Sequence, residues 1–110
     1  MCSYKILYWK EIPTQLKYTD SEGDEGSYPL SLFFQKAIDA IAMHDGSISS
    51  GDYLDAWDWG SVISTDKSPE EIIDIYDKNI PKSFIKRIND LQDDGNRKAT
   101  PGSIDSWFIN

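Results

Sequence analysis

The chain has 110 residues, with 11 Lys and Arg against 19 Asp and Glu, for a formal net charge of −8. That length holds one domain, and 39% hydrophobic with 13% aromatic residues excludes a disordered chain. The surplus of acid repels phosphate backbones and anionic lipid, so neither nucleic acid nor a membrane surface is expected as a partner.

Residues 4–9 read Tyr-Lys-Ile-Leu-Tyr-Trp. Aromatic and β-branched residues favour a strand. Apolar groups fall on both parities, which predicts a central strand covered on both sides. Residues 10–13 are expected to turn, because Pro13 biases Ile12 away from helix and interrupts a ladder. Over residues 14–19, Thr14, Leu16 and Tyr18 alternate with Gln15, Lys17 and Thr19. That pattern predicts an antiparallel strand with one wet face. Residues 20–27 hold two glycines and four acids and read as a loop. Residues 28–30 can form a short edge strand carrying Pro29.

Helical spacing follows. Phe34, Ala37, Ile38, Ile41 and Ala42 mark a helix over residues 31–44, with Ser31 as its N-cap and Asp45-Gly46 as its stop. Tyr53 and Trp57, four residues apart, predict a short helix over residues 52–59 that ends at Gly60. Ser68-Pro69-Glu70-Glu71 is a capping box with proline at the first helical position. The helix it opens carries Ile72, Ile73, Ile75 and Tyr76. Phe84, Ile85, Ile88 and Leu91 predict a further helix over residues 81–91. The alternating tail, residues 103–109, can add a strand or cover the core.

Asp20, Glu22 and Asp24 stand at alternate positions, as oxygen ligands do in a calcium loop. An EF-hand needs glycine sixth and glutamate twelfth, and here those positions are Glu25 and Ser31. The loop is therefore expected to be a solvated hairpin tip. His44 is the one histidine, so a multi-nitrogen metal site cannot be assembled. No nucleophile elbow accompanies it, and a histidine in a last helical turn is expected to meet the helix carbonyls. No phosphate loop or dinucleotide fingerprint is present, and no metal or other cofactor is expected. Asp52, Asp55 and Asp58 could pair for acid–base work, but such pairs arise by chance in an acidic chain. The basic face of Lys82, Lys86 and Arg87 is expected to be solvated.

Cys2 is the single cysteine, so no internal disulfide can form. No segment is apolar enough to span a bilayer, and the first ten residues lack a signal-peptide pattern. The expected location is cytoplasmic. Among the aromatics, Tyr53 and Trp57 are expected to pack inward. Trp59 points elsewhere on the predicted helix and is the better exposed anchor.

Three blocks carry a family resemblance. Residues 8–15, Tyr-Trp-Lys-Glu-Ile-Pro-Thr-Gln, resemble the Tyr-Trp-basic-acidic-Ile-Pro-x-Gln opening of the small bacterial virulence factor domain. Residues 34–43, Phe-Gln-Lys-Ala-Ile-Asp-Ala-Ile-Ala-Met, are similar to its Phe-x-x-Ala-Ile-Asp-x-x-Ala-Met helix. Residues 53–57 are similar to its Tyr-Leu-x-x-Trp segment. The blocks keep the family's order and span residues 4–60. Beyond Gly60 the likeness is only that of helical sequence. The family occurs as a stand-alone small protein and at the C-terminus of the longer conserved virulence factor C, without an assigned activity. This chain departs from it in two places: residues 20–25 are acidic where the family is usually basic, and Leu30-Ser31 replaces Leu-Pro.

The expectation is one α+β domain over residues 1–110, a small antiparallel β-meander packed against three or four α-helices. The leading function is a non-enzymatic protein-interaction or regulatory module with a protein partner. Trp9, Trp59, Asp20, Glu22, Asp24 and Glu25 form the candidate interaction surface. An acidic inhibitor or immunity-type protein that binds a basic partner is the alternative, and a small carboxylate-dependent enzyme is the third reading.

Overall fold

The computed structural model describes residues 2–109. Three strands come first: β1 (Cys2–Trp9), β2 (Ile12–Thr19) and β3 (Glu25–Pro29). They form an antiparallel meander. Helix α1 (Leu32–Asp45) follows, then the single turns α2 (Ser47–Ser50) and α3 (Asp52–Asp55). Short strands β4 (Trp57–Trp59) and β5 (Ile63–Thr65) both pair with the free side of β1. Helices α4 (Pro69–Lys78) and α5 (Phe84–Asp94) complete the fold, with a 3-10 turn at Asp105–Trp107 in the tail. The sheet order is β3-β2-β1-β4, with β5 beside β4 on β1, so β1 is central as its composition predicts. The α+β meander is as expected. Against the three or four helices expected, the described residues hold five α-helices, of which α2 and α3 are single turns.

The core lies on one face of the sheet. Tyr4, Ile6, Tyr8, Leu16 and Tyr18 share one strand parity and meet Phe34, Ile38 and Ile41 of α1, Ile72 and Tyr76 of α4, and Phe84 and Ile88 of α5. Fully burying each large apolar side chain is worth about 1.5–3 kcal/mol, so this cluster dominates the stability. Ile104 and Phe108 of the tail are buried in it too, and Phe108 stacks within 6.0 Å of Phe34, Tyr76 and Phe84. The tail therefore covers the core and adds no strand.

Several local expectations hold. The Ser31 hydroxyl accepts from the Phe33 N–H at 3.2 Å, and Gly46 ends α1 in the left-handed region at φ 83°. The capping box closes from both sides: Glu71 N–H donates to Ser68 Oγ and Ser68 N–H to Glu71 Oε1. The final helix starts at Phe84, later than the spacing predicts, because Ser83 sits at φ 56° and breaks the approach from Pro81.

Other expectations are corrected. Ile12 and Pro13 belong to β2, because a β-bulge opposite Leu7 and Tyr8 absorbs the proline. Thr14 is the extra residue there, and its hydroxyl donates to the Leu7 carbonyl at 2.8 Å. Strand β3 begins at Glu25, so the loop ends earlier than its glycines suggest; pairing with β2 supplies the order that composition does not. The predicted helix over residues 52–59 is one turn followed by a strand. Trp57 and Trp59 pair with Trp9 and Leu7 of β1, and strand pairing overrides the four-residue spacing. His44 meets Asp93 of α5 at 2.8 Å and not its own helix carbonyls.

A buried polar clamp joins the turn, α1 and the tail. Glu11 is 1% exposed and receives two hydrogen bonds from Arg97, at 2.6 and 2.7 Å. Arg97 also donates to Asp45 at 2.7 Å, and Lys10 donates to Asp45 at 2.9 Å and to Ser47 at 2.6 Å. Burial alone would raise the Asp45 carboxyl, but hydrogen bonds from Ser47, Lys10 and Arg97 outweigh it and hold it at about 2. Lys10 takes φ 52°, a strained value for a lysine, and its N–H is held by the Ala56 carbonyl at 3.0 Å.

Candidate functional site

Strand parity divides the sheet into a covered face and an open one. The odd residues of β1 and β2 point away from the helices. In register these are Ser3 opposite Thr19, Lys5 opposite Lys17 and Leu7 opposite Gln15. Trp59 lies beside Leu7 on β4, and Pro29 lies beside Gln15 on β3. None of these residues is buried. The wet parity predicted for β2 is therefore correct. For β1 the expectation of two covered faces holds only at Trp9.

Trp9 is corrected as an interaction candidate. It is 0% exposed, because α3 folds over the end of β1. Its indole N–H donates to the Tyr53 carbonyl at 3.0 Å, and the two rings lie 6.2 Å apart. Tyr53 and Trp57 are half-buried against the core from different elements, so both pack inward as expected but by separate routes.

Trp59 is 39% exposed, in keeping with the expected exposed anchor, though it stands on a strand. The Lys5 ammonium lies 4.8 Å from its ring centroid and the Lys17 ammonium 6.0 Å, within cation–π range. Gly60 permits this strand to lie close. A Cβ there would stand 2.7 Å from the buried Tyr8 ring, and the Gly60 N–H donates to the Ile6 carbonyl at 2.8 Å.

A groove of about 430 Å³ runs from this face to the start of α1. Leu7, Gln15, Pro29, Leu32, Gln35 and Trp57 line it. Leu32 is highly exposed at its rim. The groove is wide and apolar enough to seat a side chain of another molecule.

The acidic candidates divide. The Asp20 carboxylate accepts from the N–H groups of Glu22 and Asp24, at 2.9 and 3.0 Å, so it shapes the hairpin tip. Glu22 and Asp24 stay exposed at that tip. Glu25 is on β3, and its carboxylate meets Lys17 at 3.1 Å. Lys17 thus brings Glu25 and Trp59 together, while Asp20, Glu22 and Asp24 lie beyond them.

Two groupings escaped the sequence reading. Lys5 and Lys17 fall on the open parity, and the alternation in β2 was the available signal. The second is the covered pair of Tyr8 and Asp105, 97 positions apart, where the Tyr8 hydroxyl meets both carboxylate oxygens at 2.8 and 2.9 Å. Burial pushes Asp105 above the ordinary carboxylate range, and burial with the nearby acid pushes the Tyr8 hydroxyl up. The pair ties the tail to the sheet. Among the described residues no cluster of three His, Cys, Asp or Glu side chains could hold a metal ion. No helix of the described residues is long and apolar enough to cross a membrane.

No curated protein and no solved structure matches the chain. The family model described as "Virulence factor" matches residues 7–94, from the end of β1 through α5, which takes in the groove and the acidic tip and leaves Ser3 and Lys5 of the open face outside it. With most of its length matched, the chain belongs to the virulence factor domain family.

Proposed function

We propose that this domain is a non-enzymatic protein-interaction module whose contact surface is the open face of the sheet, centred on Trp59. One observation carries the reading: an exposed tryptophan ring lies on a helix-free sheet face beside an apolar groove. Tryptophan is enriched where binding energy concentrates, because one ring buries a large area at small entropic cost. The family's occurrence within the longer conserved virulence factor C accords with such a module.

A second reading rests on the exposed carboxylates of Glu22 and Asp24. An acidic inhibitor would use this tip to meet a basic partner, and its binding would fall steeply with salt. Capture from native lysate by the tagged wild type and by Trp59→Ala, across a salt series, separates the two. A stoichiometric protein retained by the wild type and lost by Trp59→Ala supports the open face. A partner indifferent to Trp59 and released by modest salt favours the acidic tip. No partner for either protein counts against both.

A further inference from the structure

Lys5 and Lys17 are directly opposed across β1 and β2. Like charges in that position repel and destabilise a sheet. This chain has few cations to spare, yet two share one recess. The recess is about 150 Å³, and Ser3, Lys5, Lys17, Thr19, Glu25 and Val62 line it. Ser3 and Thr19 form the adjacent row on the same face, so the recess is lined by two hydroxyl residues, two lysines and one carboxylate, Glu25. Glu25 offsets Lys17 at 3.1 Å, with both side chains substantially exposed. Among the described residues Lys5 has no carboxylate at ion-pair distance, and it rests on Trp59. The other lysines and arginines found in ion pairs meet carboxylates away from this face.

The spacing adds a second constraint. Leu7 stands two residues beyond Lys5 on β1 and lines the groove. Same-face positions on a strand repeat every ~7 Å, and an extended peptide presents its alternate side chains at that same interval. We propose that the open face binds an extended acidic segment of a protein partner, with one carboxylate between Lys5 and Lys17 and an aliphatic side chain two residues away in the groove. The charge complementarity selects an acidic partner, although the protein as a whole is acidic. Trp59, paired with Leu7 and within reach of both lysine ammoniums, would lie against the segment's backbone. The inference rests on the open-face reading and names its ligand chemistry.

The test is a titration of isotopically labelled protein followed by amide and indole NMR shifts. The probe is the capped peptide Ser-Glu-Ser-Leu-Ser, with Ser-Gln-Ser-Leu-Ser, Ser-Lys-Ser-Leu-Ser and inorganic phosphate as comparators. The expected result is a saturating shift at Ser3, Lys5, Lys17, Thr19 and the Trp59 indole with the glutamate peptide, at roughly millimolar Kd for so short a ligand. The glutamine peptide is expected to bind at least fivefold more weakly, and salt to weaken the glutamate peptide. The double variant Lys5→Gln with Lys17→Gln is expected to lose the response while its other resonances stay in place.

Equal binding of the glutamate and glutamine peptides, lost in Trp59→Ala but kept in the double variant, overturns the acidic segment and leaves the open face standing. Shifts by the lysine peptide at residues 20–25 with none on the open face overturn both in favour of the acidic tip. Phosphate producing the same shifts at the same concentration overturns the segment in favour of a free anion. No response to any probe overturns the proposal.

Discussion

Replacing Arg97 with alanine removes the cation that holds Glu11 by two short hydrogen bonds. Glu11 is 1% exposed and the Asp45 side chain 2%, so in the folded protein both carboxylates rely on the guanidinium and not on bulk water. Asp45 keeps Lys10, at 2.9 Å. Glu11 keeps no cation among the described residues. Removing one partner of a buried ion pair costs about 3–5 kcal/mol, chiefly from the charge left behind. Unfolding entropy is about 2.1 cal/mol/K per residue, so in a 110-residue chain each kcal/mol moves Tm by about 4 °C. The expected fall in Tm is therefore about 13–22 °C, and the loss of about 3–5 kcal/mol is a large part of the roughly 5–15 kcal/mol that a domain holds. Urea unfolding followed by tryptophan fluorescence gives the loss directly. The double variant Glu11→Leu with Arg97→Met is expected to recover most of it, because no unpaired charge remains buried. A loss below about 1 kcal/mol for Arg97→Ala, the range of exposed pairs, would refute the reasoning and mean that Glu11 is hydrated in solution.

Two other predictions concern the sheet and the acid limb. Gly60→Ala places a methyl group 2.7 Å from the Tyr8 ring, which Asp105 holds in place. Overpacking of this kind costs about 1–3 kcal/mol; thermal melts of Gly60→Ala alone and with Tyr8→Leu, which clears the ring, check it, and an unchanged Tm in the single variant would show that β4 gives way freely. Asp45 sits at about 2 against an ordinary 3.8, so its contribution to stability is present above about pH 4 and is lost as pH falls through about 2. Asp105, raised by burial, acts with the opposite sign: its contribution falls as pH rises through its raised value. Urea midpoints at pH 5, 4, 3 and 2 should fall less steeply in Asp45→Asn than in the wild type, and parallel curves would remove Asp45 from the acid limb.

Most elements with a local signal are legible in the sequence, the helical spacing over residues 52–59 being the exception. The alternation of residues 14–19 set β2 and its wet face, because a side chain's face on a strand depends only on parity. Ser31, Gly46 and the box at Ser68–Glu71 set helix ends, because a cap is satisfied within one turn of chain. Short blocks such as Tyr-Trp-Lys-Glu-Ile-Pro were enough to indicate the family, since they need no folding to be compared. Trp59 is exposed as its sequence position suggests, though it stands on a strand and not on a helical face.

Contacts between distant positions were set by the packing of the folded chain. Tyr53 and Trp57 fit a helical spacing, but hydrogen bonds offered by β1 drew residues 57–59 into the sheet; no feature within residues 52–59 reports that vacancy. Trp9 had the composition of an interface residue and became core because α3 arrived over it. Glu11 and Arg97 are 86 positions apart, and Tyr8 and Asp105 are 97. Each of those charged or polar groups reads as ordinary surface until burial removes its water and makes its partner obligatory. The open face likewise arose from placement. Helices covered one parity of the meander, and the other was left with two opposed lysines, a tryptophan and a groove.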